Sequence, residues 1–63
     1  MFVLQDDLET KKRDKPVYFE AMTVIGPMYT EDFDKAEKFD TKQDAMNCPA
    51  FVHPLCFFEP HEI

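Results

Sequence analysis

Glycine occurs once in these 63 residues, isoleucine twice and leucine three times. No apolar run approaches the roughly 20 residues needed to span a bilayer. The N-terminus Met1-Phe2-Val3-Leu4-Gln5-Asp6-Asp7 has no basic leader and turns acidic at once, so it does not resemble a secretory signal. Cysteine is equally sparse. Two are present, enough for one disulfide, and without a secretory signal both are read as reduced thiols of a cytoplasmic protein. Basic charge is also short, with 7 Lys and Arg against 13 Asp and Glu, a net −6. Counterion-release binding to nucleic acid needs clustered cations, so direct nucleic-acid contact and anionic membranes are both disfavoured. A basic protein surface, including one that otherwise binds nucleic acid, suits the charge better. Internal repeats, low-complexity tracts and linkers are missing too, which leaves residues 1–63 as a single small domain.

What is present is aromatic. Seven Phe and four Met fill the apolar stock, and each buried ring removes roughly 150–250 Å² from water. Hydrophobic residues at 44% and charged residues at 32% describe a folding domain rather than a disordered tail. A chain this short buries only about 60% of its unfolded surface. A closed catalytic pocket with a supporting shell is hard to build from so little.

Periodicity predicts three strands. Residues 2–8 (FVLQDDL) alternate with a period near two and suit a short edge strand. Residues 9–15 (ETKKRDK) carry four of the basic side chains and no apolar one, the composition of a solvated hairpin loop ended by Pro16. Residues 17–25 (VYFEAMTVI) are β-branched and aromatic and predict the central strand. Gly26-Pro27 is expected to end it, with the lone glycine at positive φ or at a close backbone approach. From Thr30 the period changes. Thr30 can cap a helix that begins with Glu31, Asp32 and Asp34 and ends with Lys35 and Lys38, a charge order that matches the helix dipole. Thr41 to Asp44 opens a second short helix through Ala45 and Met46; a single kinked helix over 31–47 is the alternative. Residues 50–58 (AFVHPLCFF) predict a last strand, placed at an edge or a bulge by Pro54. The tail Glu59–Ile63 is expected to be extended and partly ordered.

The expected fold is therefore α+β: a small antiparallel three-stranded sheet (2–8, 17–25, 50–58) with one or two short helices from 30–47 packed on one face. The predicted core is Phe19, Ala21, Ile25, Phe33, Ala36, Phe39, Ala45 and one of Phe57 or Phe58.

Four side chains invite a metal reading. Cys48-x₄-His53-x₂-Cys56-x₄-His61 supplies two thiols and two imidazoles within 14 residues, a donor set suited to tetrahedral zinc. Against it, the close pair His53 and Cys56 lacks the usual C-x₂₋₄-C knuckle. In a strand, residues three apart also point to opposite faces. Cys56 beside Phe57 and Phe58 reads equally as a small buried apolar group. Zinc is kept as the alternative to a metal-free domain. A cysteine nucleophile would need an electropositive setting that this acidic chain does not offer. The carboxylates Asp6, Asp7, Glu31, Asp32, Asp34, Glu59 and Glu62 fall where water solvates them, not in an apolar cleft that would raise a pKa. No catalytic residue is assigned.

The aromatics exceed what one thin layer hides. Tyr18, Tyr29 and Phe58 are therefore candidates for an exposed protein contact, joined by Glu31, Asp32 and Asp34, which would steer the chain to a basic site. Residues 30–44 hold six acidic and three basic side chains, so phosphate mimicry by that segment is diluted by Lys35, Lys38 and Lys42. The run Lys11-Lys12-Arg13-Asp14-Lys15 has no stacking aromatic and reads as a solvated loop tip. Self-association through an edge strand, giving a structural homodimer, is the plainest use of spare apolar surface.

The stretch Gly26-Pro27-Met28-Tyr29-Thr30-Glu31-Asp32, followed by Ala36-x-x-Phe39-x-Thr41-x-x-x-Ala45, resembles a pattern in short accessory proteins of bacteriophages and prophages. The resemblance spans residues 26–45. It implies a small sheet with one or two short helices and a role in binding and inhibiting a host protein, such as a polymerase, a nuclease or an immune effector. It implies no catalytic residue, and it does not extend to the C-terminal Cys and His residues.

Overall fold

The computed structural model describes residues 1–54 and 56–63. It is an α+β chain with four strands, all antiparallel, in the order β3-β2-β1-β4. In sequence these are β1 (Phe2–Asp6), helix α1 (Asp7–Arg13), β2 (Tyr18–Thr23), β3 (Gly26–Thr30), a single 3₁₀ turn (Phe33–Lys35), helix α2 (Lys42–Met46) and β4 (Phe58–Glu62). Among the described residues no helix is long and apolar enough to cross a membrane.

Strand β1 is an inner strand, not the expected edge. It pairs along its whole length with β4, from Phe2↔Glu62 to Asp6↔Phe58, so the tail expected to be loosely ordered is the fourth strand. The expected strand 50–58 begins only at Phe58; Leu55 lies outside the described residues. Ahead of it, Phe51 N–H donates to the Cys48 carbonyl, His53 N–H to Ala50 and Cys56 N–H to His53, a succession of three-residue steps. Pro49 and Pro54 explain the change, because each removes a donor that a sheet ladder would use.

Residues 9–13 are helical, inside α1, rather than part of a solvated loop. Asp6 ends β1 and caps α1, accepting from Glu9 N–H at 2.9 Å. The first turn is acidic and the last holds Lys11, Lys12 and Arg13, which complements the helix dipole. Arg13 Nη2 also reaches Glu9 Oε1 at 3.2 Å, one turn back. Asp14 closes the helix in the left-handed region (φ 55°), which a short polar side chain tolerates.

The expected strand 17–25 is shorter by three residues, one at its start and two at its end. The chain reverses at Val24-Ile25 and returns as β3, pairing Thr23↔Gly26, Met22↔Pro27 and Ala21↔Met28. Both turn residues keep negative φ, as β-branched side chains require, and the positive φ falls on Gly26 at 124°. The lone glycine therefore sits where positive φ is needed, but Gly26-Pro27 starts a strand instead of ending one. Thr23 Oγ1 donates to the Gly26 carbonyl at 2.7 Å and steadies the turn. Glu20 is an extra residue between the Phe19↔Tyr29 and Ala21↔Met28 pairs, a β-bulge.

The expected helix over 30–38 contracts to the 3₁₀ turn. Asp32 takes the cap expected of Thr30, accepting from Asp34 N–H at 2.9 Å. Ala36 then leaves in an extended conformation, and the chain wedges between two strands. Glu37 N–H donates to the Phe19 carbonyl at 3.0 Å, and Phe39 exchanges both backbone bonds with Phe2 at 2.7 and 2.8 Å. The sheet forks here, since β1 and β2 pair directly only at Gln5↔Tyr18 and through Asp6 N–H to the Val17 carbonyl. The second helix forms as expected, with Thr41 Oγ1 accepting from Asp44 N–H at 3.1 Å.

Leu4, Phe19 and Phe58 form the centre of the core, closed by Ala45 and Ala50, with Phe2, Tyr29, Phe39 and Phe51 packed around them. Phe19 meets Phe58 edge to face at 5.7 Å between centroids. Of the predicted core, Phe19, Ala36, Ala45 and Phe58 are buried, and Ala21 and Phe39 are half-buried. Ile25 and Phe33 are corrections. Ile25 is 95% exposed in the turn, and Phe33 lies outside against Tyr18 at 5.6 Å.

Candidate functional site

The six predicted contact residues do not form one surface. Phe58 is 2% exposed and cannot touch a partner; its neighbour Phe57 is 58% exposed. The register decides between them. Phe58 faces Asp6 across β1 and β4, on the side that carries Leu4, whereas Phe57 precedes the strand. Tyr29 turns toward the same core, 5.5 Å from the Phe58 ring, and its hydroxyl donates to Cys56 Sγ at 3.5 Å. Burial first, then Cys56 and Asp6, push the Tyr29 phenol well above its ordinary range. Asp6 itself is 1% exposed.

Tyr18 remains half-exposed, with Phe33 against its ring, and Lys38 Nζ sits 4.6 Å over the other aromatic, Phe33. Glu31, Asp32 and Asp34 are at the surface, yet they are not a bare row of carboxylates. Glu31 Oε2 pairs with Arg13 Nη1 at 3.2 Å, and Asp32 is used as the turn's cap. The Glu31 hydrogen bond, with help from Glu9, holds the Arg13 guanidinium above its ordinary value. Arg13 and Lys38 thus stand within the acidic segment, which blunts its field.

The zinc alternative finds no support in the geometry. Among the described residues, no group of three or more His, Cys, Asp or Glu side chains gathers as a ligand set. Cys48 and Cys56 are half-buried against the core. His61 turns to Asp7 Oδ1 at 3.0 Å, on the face opposite Leu4.

The surface that stands out was not among the predicted site residues. Val24 and Ile25 form the tip of the β2–β3 hairpin and are 105% and 95% exposed. Two-residue hairpin turns favour Asn, Asp and Gly; this one presents two β-branched apolar side chains to water. Met22 and Met28 are also exposed on the flanking strands, one on each face of the hairpin, since Met22 pairs with Pro27 and Met28 with Ala21. The signal in the sequence was the lone glycine at the fourth position of Thr23-Val24-Ile25-Gly26, where type I turns favour it. Strand β3 holds five residues, so the tip lies about 16 Å from the acidic segment beyond Thr30.

No family model, curated protein or solved structure matches this chain. Its site is therefore described by geometry alone: an apolar hairpin tip at one end of β3 and an acidic turn at the other.

Proposed function

We propose that this chain is a non-enzymatic accessory protein of phage type that covers a surface on a larger protein. The observation that carries this reading is the fully exposed Val24-Ile25 tip with Met22 and Met28 beside it. A small soluble domain gains nothing from holding four apolar side chains in water, and such patches mark protein contacts. The net charge of −6 favours a target with a basic surface, with Glu31 and Asp34 contributing to steering. The resemblance of residues 26–45 to phage accessory proteins points the same way, toward a host protein as target. Edge-strand self-association is disfavoured, because each outer strand carries a proline, Pro27 in β3 and Pro60 in β4.

The test is affinity capture from bacterial lysate with the tagged protein, its Val24→Ser/Ile25→Asn variant and a Glu31→Lys/Asp34→Lys variant. Native-like circular dichroism is required of each. One stoichiometric partner, lost with the tip variant and weakened in higher salt with the acidic variant, is the expected result. A protein that captures nothing and sediments as a dimer, dissociated by the tip variant, overturns the reading in favour of a structural homodimer.

A further inference from the structure

The fork in the sheet leaves an open place beside β2. Segment 37–39 runs alongside β2 at Phe19 and then crosses to β1, so Ala21–Thr23 have no strand on that side among the described residues. The backbone there is available. Pro27 has no N–H, so its partner Met22 cannot make a two-bond pair with it, and antiparallel alternation turns the Met22 N–H and C=O away from β3, toward the gap.

A cleft of about 290 Å³ opens at the same place. Phe19, Ala21, Phe39 and Cys48 make its apolar walls, with Met22 at the end nearest the hairpin tip, and Glu20 and Glu37 are its charged groups. Glu20 is the bulged residue, and bulges re-aim a side chain relative to the regular alternation. The described lining contains two carboxylates and no cation. The nearby Lys38 is committed elsewhere, donating to the Phe33 and Ala36 carbonyls at 2.6 and 2.7 Å. The volume falls at the small end of ligand sites, the size of one long side chain rather than a cofactor.

We infer that this cleft receives the arginine or lysine of an extended partner segment, which adds to the free edge of β2 through Met22. The aliphatic stem lies against Phe19 and Phe39, and the cationic head reaches Glu20 and Glu37. Met22 belongs to both the cleft and the apolar tip, so the two form one continuous surface. The inference rests on the protein-binding reading above and specifies what that surface recognises.

The probe is a blocked pentapeptide, Val-Thr-Arg-Thr-Val, titrated into the ¹⁵N-labelled chain and followed by amide shifts. Control peptides carry norleucine or glutamate in place of arginine. The expected result is saturable shifts at Ala21, Met22, Glu37 and Phe39, with affinity weakened about tenfold or more by norleucine. Glu20→Gln/Glu37→Gln, with an otherwise unchanged spectrum, should cause the same loss. Equal binding of the norleucine peptide, shifts confined to the Glu31–Asp34 turn, or no shifts at millimolar peptide each overturns the inference. Capture of the lysate partner separates the two readings. A partner kept by Glu20→Gln/Glu37→Gln but lost with the tip variant removes the cleft and leaves the protein-binding function standing.

Discussion

Phe57 and Phe58 are adjacent, chemically identical and energetically opposite. Phe58 packs its ring between Phe19 and Tyr29, at 5.7 and 5.5 Å. Truncating a buried phenylalanine to alanine costs about 3–5 kcal/mol through lost transfer energy and the cavity left behind. At about 0.05–0.15 kcal/mol per residue, a domain of this length has a stability of about 3–9 kcal/mol. Phe58→Ala should therefore leave a large unfolded fraction at 25 °C. Phe58→Leu keeps most of the apolar volume but loses two aromatic pairs of about 0.5–1.5 kcal/mol each, a graded loss of about 1–3 kcal/mol. At about 4–8 °C per kcal/mol this is visible as a lowered Tm. Phe57→Ala, at an exposed site, should stay within about 0.5 kcal/mol of the parent. The assay is urea unfolding of all four proteins by circular dichroism, with the slope compared alongside the midpoint. Equal losses for Phe57→Ala and Phe58→Ala, or a stable Phe58→Ala, would refute the β1–β4 register on which the core is built.

Two further perturbations probe single features. Gly26→Ala would bring its new methyl into ordinary van der Waals contact with His53 Nε2 at 3.7 Å, without a clash, so its cost is conformational. The φ of 124° should make it destabilising by about 1–3 kcal/mol, and a neutral result in thermal unfolding would show that the turn relaxes. The Tyr29 phenol is raised in the folded state above its unfolded value near 10. The folded chain therefore holds that proton more tightly, and the stabilisation is complete below pH 10 and lost as pH rises beyond it. Urea midpoints at pH 8 and pH 11 should fall more steeply for the parent than for Tyr29→Phe; parallel falls would remove Tyr29 as a source of alkaline sensitivity.

Local chemistry accounts for much of this molecule. Thr41 was legible as a helix cap, Gly26 as a positive-φ position and Phe19 as a core residue, because each depends on its own neighbours in the chain. Helix α1 was legible as well, through Asp6 and Glu9 three residues apart and the basic last turn, although its lack of apolar periodicity led to a loop instead. The mixed α+β class and the inner position of β2 likewise follow from composition and alternation.

Tertiary structure decided the rest. Strand pairing joins residues far apart in sequence, and a one-residue change of register moves every side chain to the other face. Whether Phe57 or Phe58 enters the core, and whether Tyr29 faces a partner or Cys56, is set by how β4 and β3 align with β1 and β2. The proline-bearing tail became a strand because β1 offered it an unpaired side, an opportunity no local propensity records. The cleft beside Met22 exists only because residues 37–39 leave β2 for β1, and Val24-Ile25 reached full exposure because the chain reversed two residues earlier than its β-branched composition implied. Composition determined that this small acidic chain would fold around phenylalanine; the pairing of distant strands determined which apolar groups it would leave in water.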